Sequence, residues 1–204
     1  MENEFDYYFI ASAGVADAPL LRNDDDLNPD GLDFLDENEE TDIEEPVNLC
    51  FNSPIPKKPR MVDYHNLPNA VFSQKIYNVL APMNIAGIQF IPAIINGVKG
   101  EQYDNYWIVN YCNCIECFDK EKSVYEIDDF TECWEDIEKL YIDTEKLAKI
   151  PLKKRLVIMP QETSMFELYH KSVVDAIMAV NPEGVRFLPI EGWYEGIQFE
   201  NLKQ

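Results

Sequence analysis

Three cysteines crowd into Cys112-Asn113-Cys114-Ile115-Glu116-Cys117, and Cys133 follows sixteen residues after the last of them. Four thiolates form a closed tetrahedral shell for zinc, so this group is the first candidate metal site. Its spacing is unlike paired Cys-x-x-Cys knuckles. On a strand, Cys112 and Cys114 point to one face and Cys117 to the other, so convergence requires a bulge. Small buried thiols are the more ordinary reading. A second pattern, Asp26-x-Asn28-x-Asp30-Gly31 with Glu37 at the twelfth position, fits the calcium-loop spacing, in which oxygens converge on a hard cation around a sharp turn at Gly. Against it, Pro29 sits inside the loop and Asp33 replaces the customary apolar eighth residue. A run this acidic produces such matches by chance, and the expectation is a solvated loop with no cofactor. His65 and His170 are the only histidines, and neither belongs to a Gly-x-Ser-x-Gly elbow, a His-Glu-x-x-His pair or a nucleophilic Cys signature. Phosphate-binding glycine loops are absent as well. Nothing distinguishes a working pair among the 38 carboxylates, so the chain does not read as an enzyme.

The charge itself is the strongest chemical feature. A net −21 works against nucleic acid and anionic lipid, because every phosphate contact needs a Lys or Arg. The natural complement is a basic protein. No apolar run reaches the roughly 18 residues of a membrane span, and Met1-Glu2-Asn3-Glu4 lacks the basic start of a secretory signal. Five cysteines, an odd number, suit a reducing compartment, and the expectation is a cytoplasmic protein.

The elements that would position these residues follow from composition and periodicity. Residues 1–50 hold sixteen Asp or Glu against the single Arg22. Phe5 to Leu21 has enough apolar residues for a strand or short helix, whereas Asp24 to Glu45 reads as a loose acidic loop. Residues 51–60 contain the Pro-rich basic stretch Ser53-Pro54-Ile55-Pro56-Lys57-Lys58-Pro59-Arg60, which reads as a linker. The body is expected over 61–204. Inside it lies a weak internal repeat with an offset of 97. Val71 to Leu80 followed by Asn84 to Pro92 matches Leu168 to Ile177 followed by Asn181 to Pro189. Each copy reads as a helix feeding a strand: Ile76, Val79 and Leu80 recur at helical spacing after the potential N-cap Ser73, as do Val173, Val174 and Ile177 in the second copy. Gly87 and Gly184 stand where the chain leaves the helix and positive φ is cheapest, and Pro92 and Pro189 are expected to end the strands. The start of the second helix is open between two readings. Ser164-Met165-Phe166-Glu167 forms a capping box, while the repeat makes 165–169 extended. Tyr106 to Phe118 reads as one long strand, with Ile137 to Ile142 and Leu156 to Met159 as further strands. The fold class is therefore α+β: a single body with a mixed or antiparallel sheet and two main helices, preceded by an acidic segment.

Together with Lys57-Lys58-Pro59, Asp63, Ser73, Gly87-Ile88-Gln89-Phe90-Ile91-Pro92, Tyr106-Trp107 and Gly184-Val185-Arg186-Phe187-Leu188-Pro189, this arrangement resembles family eleven of the bacterial polymorphic-toxin immunity proteins over residues 57 to 190. The resemblance implies a protein that binds and blocks a cognate toxin and supplies no catalytic residues. His170 departs from it, standing where a helix-starting Ser is expected. The acidic segment lies outside the resemblance and is the candidate for toxin specificity, through Asp24, Asp25, Asp26, Asp36, Glu37, Glu39 and Glu40.

Overall fold

The computed structural model describes residues 4–28, 31, 32, 35, 39–43, 45–128, 130 and 132–197. Fourteen strands, β1 to β14, and three α-helices, α1 to α3, are described among them, and the architecture grows from the internal repeat. In its first copy, β5 (Val71–Ser73) leads into α1 (Gln74–Leu80) and on to β6 (Ile88–Asn96). In the second copy, β12 (Leu168–His170) leads into α3 (Lys171–Met178) and β13 (Val185–Pro189). Strand–helix junction and second-strand start keep the offset of 97 in both copies. The second helix therefore follows the repeat, and the capping box at 164–167 does not start it.

Neither copy pairs its own two strands. β7 (Gln102–Tyr111) lies between β5 and β6, and β1 (Tyr7–Ser12) lies between β12 and β13. The two inserted strands are in equivalent register. Phe72 faces Trp107 and Ile91 faces Ile108, just as Tyr169 faces Tyr8 and Leu188 faces Phe9. Tyr7, Tyr8 and Phe9 thus occupy the positions that Tyr106, Trp107 and Ile108 occupy in the first unit. The acidic segment supplies the central strand of the second unit, within the Phe5 to Leu21 stretch expected to add a strand or short helix.

Around these units the sheets extend. β2 (Leu21–Asn23), β3 (Val47–Phe51) and β4 (Tyr64–His65) complete a six-stranded sheet in the order β2-β3-β6-β7-β5-β4, with β3 and β6 parallel. β8 (Cys114–Ile115) and β11 (Val157–Pro160) complete a five-stranded sheet in the order β13-β1-β12-β11-β8. A third sheet orders as β14-β10-β9, from β9 (Val124–Ile127), β10 (Trp134–Leu140) and β14 (Trp193–Tyr194), and α2 (Thr144–Leu147) follows β10. The result is an α+β fold with mixed sheets. α1 and α3 turn their apolar faces into one core, where Ile76, Leu80, Val173 and Ile177 meet Phe72, Val109, Tyr111 and Tyr169. A second core gathers Phe9, Phe118, Trp134, Leu140, Phe166, Leu168 and Trp193, and a third sits under β2, β3, β6 and β7.

Two expectations about strand ends do not hold. Pro92 does not end its strand: β6 continues to Asn96, and its pairing with β3 begins only at Ala93, so that side of Pro92 is still an open edge. Pro189 does end β13. Tyr106 to Phe118 is not one strand either. β7 stops at Tyr111, and after Cys112 and Asn113 the chain enters β8 in the other main sheet. The break packs against Gly87, whose φ is +72° and whose backbone approaches Asn113 so closely that an added Cβ would lie 2.2 Å from its Cβ.

Candidate protein-binding surface

The cysteine group is dispersed by that break. Cys112 is half-buried after β7, Cys114 is exposed on β8, Cys117 is fully buried and Cys133 is exposed before β10. Burial, with the Glu162 carboxylate beside it, pushes the Cys117 thiol well up. Glu162 itself is buried, and its Oε1 accepts the amides of Cys117 and Phe118 at 2.9 Å each. Burial raises its pKa even so. Among the described residues, no three His, Cys, Asp or Glu side chains gather as a metal site would require.

Of the calcium pattern, Asp30 and Glu37 lie outside the described residues, as does Asp36 of the toxin-contact candidates. Asp26 is exposed. The Asn28 carboxamide donates to Asn23 Oδ1 and the Asn48 carbonyl and accepts from the Asn48 amide, so it fastens its loop to β3. The amide of Asp24 also donates to the Asn48 carbonyl, and Asp25 is exposed. Glu39 and Glu40 are exposed, but the backbone around them is held: Asn110 donates to the Glu39 carbonyl at 2.7 Å, and Gln89 exchanges two hydrogen bonds with Thr41. Leu35 is buried in the third core. For the described residues, the loose loop expected from composition is a tethered one. The backbone that carries Asp24, Asp25, Asp26, Glu39 and Glu40 is therefore held against the six-stranded sheet.

The histidines are structural in their surroundings. His65 meets the Pro19 carbonyl through Nδ1 at 3.1 Å, and burial lowers its pKa to about 4. His170 is the N-cap of α3, its Nδ1 accepting the Ser172 amide, so the residue that departs from the family pattern still performs the capping role. Ser73 does not cap α1 with its side chain; its hydroxyl donates to Asp63 at 2.6 Å. Asp63 also accepts from Lys75 and from the Glu183 amide, joining the start of one copy to the loop between α3 and β13 of the other. Burial opposes its ionisation, but these hydrogen bonds outweigh it and hold the carboxyl below its usual range.

The surface offers a concave site. A groove of about 420 Å³ runs over Phe9, Ile10, Tyr64, Phe166 and Trp193, with Met165 60% exposed and Arg186 among its lining. A second cavity of about 190 Å³ adjoins it, sharing Ser12, Gly14, Tyr64 and Asn66. An apolar floor with few polar groups can accept apolar side chains of a partner.

A doubled strand–helix–strand unit with an inserted strand in each copy, in a chain of net charge −21, defines the class: an acidic α+β protein with mixed sheets. The chain belongs to the immunity protein family (Imm11), which residues 8–192 match. The match begins at the second residue of β1, well before residue 57, as the place of that strand in the second unit requires. A search of curated proteins finds no match. Among the described residues, no helix is long and apolar enough to cross a membrane.

Proposed function

We propose that this protein binds and neutralises a cognate bacterial toxin in the cytoplasm of the cell that makes both, by covering the toxin's active site or a surface it requires. The family match over 8–192 is the observation that carries this reading. The net charge of −21 supports a basic toxin, since an acidic surface speeds encounter with a cationic partner and orients it, while buried apolar contacts supply the affinity. Asp24, Asp25, Asp26, Glu39 and Glu40 add to that field. The mode of action is steric, with no chemistry performed on the toxin.

Co-expression with the toxic domain encoded by the adjacent reading frame tests this. The expected outcome is restored growth and a stable complex on purification. Growth arrest that persists despite equal expression of this chain overturns the reading.

A further inference from the structure

The most exposed large apolar side chain described is Phe130, 95% exposed in the turn between β9 and β10. Ile127 and Val124 on β9 are 55% and 45% exposed. Among the described residues β9 pairs only with β10, so its other edge is not covered by a described strand. Native edges of this kind are usually guarded by Lys or Pro. Here the edge carries two exposed aliphatic residues beside the exposed Glu126.

The inner face of the hairpin explains its stability but not its outer face. Trp134, Ile137 and Leu140 are buried in the second core, and Tyr125 stacks on Trp134 at 3.5 Å with rings 4° from parallel. On the outer face, Glu126 and Glu135 are direct cross-strand partners, both exposed. Like charges directly opposite one another weaken a ladder. Residues 124–138 hold seven Asp or Glu and no Lys or Arg, so a core-anchored arm presents bare apolar side chains within negative charge.

We propose that this hairpin is the element that grips the toxin, with Phe130 entering an apolar cleft whose rim carries Lys or Arg side chains facing Glu126, Glu132 and Glu135. The inference rests on the toxin-binding reading above. Charge selects the occupant: a second copy of this chain would set the same carboxylates against each other, and nucleic acid or an anionic membrane would be repelled. A cationic protein surface is what remains.

Binding kinetics with the toxin domain of the adjacent reading frame, at low and at physiological salt, test the proposal on the full chain. Phe130→Ser is expected to weaken affinity by roughly tenfold or more, through faster dissociation. The double change Glu126→Lys, Glu135→Lys is expected to slow association by roughly tenfold at low salt, with the difference shrinking as salt is added. Val98→Ser, on the exposed turn between β6 and β7, serves as the control and is expected to bind as wild type. These side chains are exposed, so unchanged thermal unfolding verifies that each variant folds. If wild type binds and the hairpin variants bind equally well, the hairpin proposal falls and the toxin reading stands. The hairpin proposal falls in the same way if Met165→Ser in the groove weakens binding while the hairpin variants do not. Failure of wild type to bind removes both.

Discussion

Arg155 is the residue whose role the linear chain hides most completely. It follows Lys153 and Lys154, so in sequence it belongs to a solvated basic run, yet it is fully buried. Its guanidinium donates to the Ile150 carbonyl, the Glu4 carbonyl and the Tyr7 hydroxyl at 2.8 to 2.9 Å, pairs with the Glu4 carboxylate, and lies 5.1 Å from the ring centre of Phe5. Tyr7 in turn donates to the Arg155 carbonyl. A single side chain thus fastens the start of β1 to the far side of its sheet. Arg155→Ala leaves the Tyr7 hydroxyl and two carbonyls without this partner, but Glu4 is half-exposed and can rehydrate. The expected loss is about 2–4 kcal/mol, read from urea unfolding. His65 makes a second residue-scale prediction. Its folded pKa, about 4, lies below its ordinary 6.5, so on acidification the unfolded chain takes up a proton that the folded chain refuses. Stability is therefore present above pH 6.5 and is lost as pH falls from there toward 4, by about 2 kcal/mol at pH 5. His65→Gln should flatten that slope between pH 6.5 and 5; an unchanged slope would assign it to other groups.

At the scale of elements, the repeat was legible because helix periodicity, the glycine positions and the strand starts all recur at the same offset. The φ values of +72° at Gly87 and +85° at Gly184 match the conformation expected there, and Asn84 and Asn181 are a second left-handed pair at the same offset. The two glycines are tight for different reasons. A Cβ on Gly87 meets the backbone and Cβ of Asn113, and one on Gly184 lies 2.8 Å from the Val62 Cβ. Gly100 has a similar φ of +87° and nothing within 4 Å. Gly100→Ala is therefore expected to cost about 1 kcal/mol of backbone strain, while Gly87→Ala adds the displacement of Asn113 and should cost at least about 3 kcal/mol. Equal midpoints in chemical unfolding would contradict the close approach. What the sequence concealed at this scale was pairing. Nothing local in Tyr106 to Phe118 marks Cys112-Asn113 as the point where the chain changes sheets, because Asn113 acts through hydrogen bonds to the distant carbonyls of Lys154 and Val157. Pro92 misled for a similar reason: its tolerance depends on where the pairing with β3 begins, and β3 is remote in the chain.

Over the whole molecule, charge and fold pull apart. Composition marks residues 1–50 as acidic and separable, yet their apolar minority is what the fold uses. Tyr7, Phe9 and Ile10 are buried in two different cores, and Leu21, Val47 and Leu49 in the third. The acidic run stands out in the sequence by its density, whereas the hairpin at 124–138 is equally one-signed but interleaved with the Tyr, Trp and Ile of its buried face. A deletion of residues 1–45 separates these views. An acidic arm hung on an independent body would leave a truncated chain folded and altered only in toxin binding. In the observed fold, the deletion removes an interior strand of the five-stranded sheet, and with it Tyr7, Phe9 and Ile10, each worth about 1.5–3 kcal/mol of burial. It also removes β2, and it leaves β12 and β13 on either side of an empty position. That total of at least about 5 kcal/mol approaches the whole stability of an ordinary domain, about 5–15 kcal/mol. The truncated chain is expected to lose its near-ultraviolet circular dichroism and become sensitive to limited proteolysis. A cooperative unfolding transition in the truncated chain would show that β1 is dispensable.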